Sequence, residues 1–136
     1  MDTDWDHNSW YHRLLVRQMP LGARRVLDVG CGGGALAREL SQRVDRVDAV
    51  DRDPQMVALA RRGALGNLTV IEGDALTVDL PAGGYDAVLS LSSLHHLPLL
   101  PALERMAGWL RPSGVLAAVA LPRTDLPSMS RWSSRP

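Results

Sequence analysis

The chain has 136 residues, which leaves room for one compact domain and not two. Hydrophobic residues make up 46% and charged residues 22%, a globular balance that excludes wholesale disorder. Fifteen basic residues cancel fifteen acidic ones, so no net field argues for a nucleic acid or an anionic membrane as partner.

All fifteen basic residues are arginine, and Lys and Phe are absent, which we read as genomic base bias. The one cysteine, Cys31, excludes an intrachain disulfide and a cysteine-based zinc centre, and no metal is expected. Met1 to Trp10 lack the basic start and apolar stretch of a secretory signal. No segment approaches the roughly 18 apolar residues of a membrane span. A soluble, cytoplasmic domain is expected.

In chain order, a first helix places Trp10, Leu14 and Gln18 on one side, with Tyr11 and Leu15 adjacent. Val26 to Val29 then reads as a strand, followed by a helix with Leu36, Ala37, Leu40 and Val44 on its apolar face. Val47 to Val50 is a second strand. Asp53-Pro54 starts the next helix, an N-cap followed by proline at the first helical position, and Val57, Ala60 and Ala64 face inward. Leu68 to Ile71 and Tyr85 to Leu91 are strands three and four. A helix with Leu99, Leu103, Met106 and Leu110 inward stops at Arg111-Pro112-Ser113-Gly114, and Val115 to Leu121 is the fifth strand. Nearly continuous apolar strands alternating with helices predict an α/β fold, a doubly wound parallel sheet of about five strands covered by helices on both faces. Residues 1–121 form the domain. Residues 122–136 carry three prolines and four serines without apolar period, and are expected to be a flexible tail.

The densest chemistry lies in Val26-Leu27-Asp28-Val29-Gly30-Cys31-Gly32-Gly33-Gly34, where a glycine-rich turn joins a strand to a helix. Glycines let a ligand approach the backbone without an intervening β-carbon. Gly30-x-Gly32-x-x-Ala35 also satisfies the dinucleotide fingerprint, but Asp28 would repel a pyrophosphate brought to this turn. A carboxylate suits a ligand that presents an ammonium group. Asp51 ends the second strand, where it can accept both hydroxyls of a ribose. Asp74 ends the third, where it can accept the exocyclic amine of adenine while the backbone N–H of Ala75 meets a ring nitrogen. Three acids at three consecutive strand ends are more specific than any one.

Taken with Tyr85-Asp86-Ala87-Val88, Leu94-His95-His96-Leu97 and Leu110-Arg111-Pro112-Ser113-Gly114-Val115-Leu116, these motifs resemble those of class I S-adenosylmethionine-dependent methyltransferases of the small-molecule type. The resemblance runs from about Tyr11 to Leu121. It implies a Rossmann-like sheet and S-adenosyl-L-methionine as cofactor. Gly30, Cys31 and Gly32 would line its methionine end, Asp28 would lie near its amino group, Asp51 would hold the ribose and Asp74 the adenine amine. Arg52 and Met56 would pack against the adenine, and Ser90 and Leu91 would face the sulfonium. His95 and His96 follow the fourth strand where an acceptor should enter, so either can serve as a general base, although capping or packing explains the pair equally well. Tyr11 and His12 sit on the first helix, which in this family often folds over the cofactor. Cys31 suits the turn as a small residue and is not expected to be a nucleophile.

Two features depart from the family pattern. The antiparallel strand pair that completes its seven-stranded sheet is missing, since residues 122–136 lack strand alternation. The Asn/Asp-Pro-Pro-aromatic motif of amino-methyltransferases acting on DNA, which would fall at Ser90-Leu91-Ser92-Ser93, is absent. The expected function is methyl transfer to a small-molecule acceptor by in-line displacement. The alternatives are a truncated, inactive cofactor-binding domain acting as partner or regulator, and a nicotinamide-dependent oxidoreductase, which Asp28 and Asp74 argue against. Without its seventh strand, the uncharged fifth strand would expose an apolar edge. It should pair with a second copy as a homodimer, take the tail across it, or make the chain poorly soluble.

Overall fold

The computed structural model describes residues 3–91, 98–120 and 128–133, with side chains at 9–91 and 98–120. Among these residues four helices, α1 (Thr3–Arg17), α2 (Ala35–Ser41), α3 (Pro54–Arg62) and α4 (Leu99–Trp109), flank six strands. The strands are β1 (Arg25–Val29), β2 (Arg46–Asp51), β3 (Leu68–Glu72), β4 (Tyr85–Leu91), β5 (Leu110–Ala120) and β6 (Ser128–Ser133). They form one sheet in the order β3-β2-β1-β4-β5-β6. The first five are parallel, as the apolar runs predict, and β6 is antiparallel to β5.

Alternation along each strand sends neighbouring side chains to opposite faces, so the sheet has two cores. Val26, Val47, Ala49 and Leu89 pack with Tyr11 and Leu15 of α1, Leu36 and Leu40 of α2, and Val57 of α3. Leu27, Val50, Val88 and Leu116 pack with Ala102, Met106 and Trp109 of α4 on the other face. Val29 lies level with Val50 and with Ser90, and Asp51 lies level with Glu72. This register brings the ends of β1, β2, β3 and β4 to one edge, where the predicted site residues follow. Asp53 caps α3 as expected, its Oδ1 accepting the Gln55 N–H at 2.9 Å.

The helices differ from the expected pattern in detail. On α1 the buried residues are Tyr11 and Leu15, while Trp10 is 52% exposed and stands edge-on to the Tyr11 ring. Gln18 lies just past the helix and donates to the Leu14 carbonyl. Val44 and Ala64 follow α2 and α3 and pack against the core from the connecting segments. In α4 the inward positions are Ala102, Met106 and Trp109, Leu99 is exposed, and Leu110 already opens β5. Among the described residues no helix is long and apolar enough to cross a membrane.

The flexible tail expected after residue 121 is corrected for Ser128–Ser133. This segment pairs with β5 along Val115↔Ser133 through Ala120↔Ser128. The physical reason is the one that made the edge a liability: unpaired N–H and C=O groups on an apolar strand gain most from the nearest available backbone. Pro122 and Pro127 precede the strand and remove no donor from it. The sheet therefore runs to Ser133, and of the three outcomes expected at the fifth-strand edge the structure shows the chain's own segment taken across it, in the place where a second copy would have paired.

Cutting the chain after Leu121 should reopen the β5 edge. Sedimentation velocity should then show self-association of the shortened chain at concentrations where the full chain sediments as a single species. A monomeric shortened chain whose Val115–Ala120 amides exchange freely would show that β6 is not needed to protect the edge.

Candidate functional site

The turn after β1 is built from backbone conformations that side chains resist. Gly32 has φ 54° and Gly34 φ 90°, both in the left-handed region. At Gly34 a Cβ would also stand 3.0 Å from the Ala60 Cβ, so α2 and α3 approach there only because none is present. The N–H groups of Gly30 and Cys31 donate to the Val50 carbonyl at 2.7 and 3.0 Å, which ties the turn to the end of β2.

Asp51 completes that tie. Its Oδ2 accepts the Gly32 N–H at 2.8 Å and its Oδ1 accepts the Asp53 N–H at 2.9 Å. Each carboxylate oxygen keeps a further lone pair for a ligand hydroxyl. The Asp51 carbonyl accepts the Gly73 N–H at 3.0 Å, which fixes the segment that follows β3. There the Leu76 N–H donates to Asp74 Oδ1 at 2.8 Å, and Thr77 and Val78 donate to the Asp74 carbonyl.

Two cavities open along this edge. The first, of about 290 Å³, brings together Gly30, Asp51, Arg52, Met56, Asp74 and Ala75, six of the residues expected to bind. Val29, Val50, Asp53 and Gly73 complete its wall. The second, of about 820 Å³, holds Asp28, Gly30, Cys31 and Gly32 beside His12, Arg38 and Leu91. Gly30 belongs to both.

Ser90 does not join them. Its buried hydroxyl donates to the Val29 carbonyl at 2.9 Å. Strand alternation explains this. Ser90 shares the face of Val88, toward α4, whereas Leu91 shares the face of Leu89, toward the glycine turn. Tyr11 is a core residue, and His12 reaches the second cavity with its Nδ1 3.6 Å from Glu39 Oε2. His95 and His96 lie outside the described residues. Asp53 and Gly73 escaped the sequence reading because Asp53 already had a role as a helix cap, and Gly73 carries no chemistry of its own.

Electrostatics single out Asp28. It is 1% exposed, and burial, with the Asp51 carboxylate nearby, raises its pKa from 3.8 to about 7. Its Oδ2 has no hydrogen-bond partner. Among the described residues the other buried unpartnered side-chain atoms are Arg25 Nε and Asp48 Oδ1. Those two belong to a cluster of opposite charges, with Arg25 Nη2 2.8 Å from Asp48 Oδ2 and Arg46 Nε 3.5 Å from Asp48 Oδ1. Asp28 Oδ2 has no such hydrogen-bonded cation among the described residues. The Cys31 thiol is pushed up to about 12 by burial, then by Asp28 and Asp51, so it stays protonated and unreactive near neutrality. Burial holds His12 below its usual value although Glu39 opposes this.

Residues 26–114 match the family described as "Methyltransferase domain". The chain belongs to the S-adenosylmethionine-dependent methyltransferase family. An uncharacterized methyltransferase of Mycobacterium tuberculosis is 42% identical over 121 residues, covering 88% of this chain and 61% of the relative. A ubiquinone biosynthesis O-methyltransferase of Xanthomonas campestris is 36% identical over 115 residues, covering 81% and 48%. The chain thus spans between about half and three fifths of the length of these relatives. Among solved structures, an S-adenosylmethionine-bound amino pentose methyltransferase of Micromonospora echinaspora superposes with a TM-score of 0.71 at 32% identity, covering 85% of this chain and 50% of that one. A geranyl diphosphate C-methyltransferase of Streptomyces coelicolor reaches a TM-score of 0.78 at 17% identity, covering 82% and 44%, a likeness of fold alone.

The raised Asp28 pKa has a consequence for stability. Between the usual carboxylate pKa and about 7 the folded chain holds a proton on Asp28 that the unfolded chain has released. The stabilisation is therefore full at acid pH and is lost as pH rises toward 7, at up to about 1.4 kcal/mol per pH unit. Asp28→Asn has no such proton to lose. Urea unfolding from pH 4.5 to 8 should show the ligand-free wild type losing stability relative to Asp28→Asn up to about pH 7 and levelling off above it. A difference that does not change with pH would place the Asp28 pKa outside this range.

Proposed function

We propose that the two cavities together hold S-adenosylmethionine and that the chain transfers its methyl group to a small-molecule acceptor. The observation that carries this reading is the unpartnered Asp28 Oδ2, buried at the end of β1 beside the glycine turn. A ligand ammonium would supply its missing partner and relieve its repulsion with Asp51. No cation of the described residues does so, and a pyrophosphate would worsen the repulsion.

The remaining donors and acceptors suit the rest of that molecule. Asp51 has lone pairs to spare for the ribose hydroxyls, and its position is already fixed by Gly32 and Asp53. Asp74 and Ala75 border the same cavity, as an adenine amine and ring nitrogen require, and the exposed Arg52 and partly buried Met56 offer side chains to pack on the ring. When bound, S-adenosylmethionine supplies a methyl group on a sulfonium, already a good leaving group, so transfer proceeds by in-line displacement. The protein's part is to align the acceptor and exclude water. Leu91 supplies an apolar wall on the side of the second cavity. His95 or His96, soon after β4 in the chain, takes the acceptor proton in this reading. The similar proteins named above include methyltransferases whose names point to small-molecule acceptors, which supports that class here. A cytoplasmic location belongs to the same reading.

A second reading is binding without turnover. Titration of the purified chain with S-adenosylhomocysteine tests the site without needing an acceptor. S-adenosylhomocysteine should raise the melting temperature and NAD should not. A rise with NAD alone would overturn the assignment. Asp51→Ala should weaken S-adenosylhomocysteine by about 2–4 kcal/mol in calorimetry, since two charge-assisted hydrogen bonds are lost. Unchanged affinity in a folded Asp51→Ala chain would remove Asp51 from the site. Release of S-adenosylhomocysteine from S-adenosylmethionine in the presence of candidate acceptors then separates transfer from binding alone.

A further inference from the structure

The segment after β3 that borders the first cavity is gripped by one residue of α4, which packs on the same face of the sheet. Arg105 donates from Nε to the Ala75 carbonyl at 2.9 Å and from Nη2 to the Val78 carbonyl. Its guanidinium lies over the Trp109 ring, 5.3 Å from the centroid, which restrains the side chain from behind. Arg105 does not line the first cavity. Its reach is through one peptide unit. The Ala75 carbonyl that accepts from Arg105 and the Leu76 N–H that donates to Asp74 Oδ1 are the two ends of the Ala75–Leu76 peptide bond. A planar peptide passes orientation directly from one end to the other. A cation on its carbonyl also polarises its N–H toward the carboxylate.

We propose that Arg105 is a positioning residue that sets the cavity's preference for a 6-amino purine, by holding the Asp74 carboxylate and the Ala75 backbone at the angle that reads the amine edge. This rests on the S-adenosylmethionine reading and adds a specificity determinant to it. The rest of the segment does not depend on Arg105 for its attachment. Leu76 and Val78 pack against the core that contains Ala102, Met106 and Trp109. The Gly73 N–H is held by the Asp51 carbonyl. Loss of the guanidinium should therefore free the peptide to rotate while the segment stays docked.

The test compares S-adenosylhomocysteine with S-inosylhomocysteine, in which an oxo group replaces the amine. The oxo oxygen would face the Asp74 carboxylate and the ring N–H would face the Ala75 N–H. Calorimetry on the wild-type chain should show a clear preference for the amino ligand. Arg105→Gln should weaken S-adenosylhomocysteine about tenfold or more while changing S-inosylhomocysteine by less than about twofold, and Arg105→Lys should recover part of the preference. If Arg105→Gln fails to fold, Arg105→Lys carries the same comparison, with a partial loss of preference expected. In a double-mutant cycle with Asp74→Asn, the two losses should fall well short of adding, because Arg105 acts through Asp74. Equal weakening of both ligands, unchanged preference, or additive losses would each overturn the proposal. A wild-type chain that binds S-adenosylhomocysteine but shows no preference would also overturn it. Failure of the wild-type chain to bind S-adenosylhomocysteine at all would instead overturn the S-adenosylmethionine reading beneath it.

Discussion

The functional edge of this domain hangs on the acceptor groups of a single residue. Asp51 takes the Gly32 N–H on one carboxylate oxygen, the Asp53 N–H on the other and the Gly73 N–H on its carbonyl. Three connecting segments, after β1, β2 and β3, thus share one reference point. The same carboxylate is what helps keep Asp28 protonated near neutrality. Geometry and charge are coupled there: the group that organises the loops also raises the cost of an ionised neighbour, and a bound cation lowers that cost.

The opposite end of the sheet handles charge in the contrary way. Asp86 Oδ2 accepts the N–H groups of Arg24 and Arg25 at 2.8 and 3.0 Å, where β1 begins. Buried Asp48 receives the Tyr85 hydroxyl at 2.6 Å and the Arg25 guanidinium, which also lies over the Tyr85 ring. Acids at that end meet cations of the chain itself, as buried charges must if no ligand is to be bound. One end is closed electrostatically, and the other leaves Asp28 open.

Much of this was legible in the residues. The five apolar runs marked the five parallel strands, Asp53-Pro54 marked the start of α3, and the acids at three strand ends mapped to one edge because parallel strands in register end together. What escaped was set by relations that local pattern does not contain. On α1 a shift of one residue turns the buried face by about 100°, enough to exchange Trp10 for Tyr11. At Ser90, strand alternation decides which neighbour faces the glycine turn, and the phase is fixed only once β4 is packed. Ser128–Ser133 lacks the apolar alternation of a strand and becomes one because β5 offers it partners. Arg105 meets Ala75 across thirty residues, a contact no spacing rule announces.

The strand order carries a consequence for how the chain is made. Synthesis produces β1 first, and β1 ends in the interior of the sheet, with β2 and β3 added to one side and β4, β5 and β6 to the other. Each later strand docks on the outer flank of one already formed, so the sheet can grow outward in step with translation and never has to open to admit a latecomer. The interval of greatest hazard lies between the emergence of Ala120 and that of Ser133, when an uncharged stretch of β5 has no neighbour on its outer side. The connection that spans this interval is short, which limits the time available for a neighbouring nascent chain to pair there first.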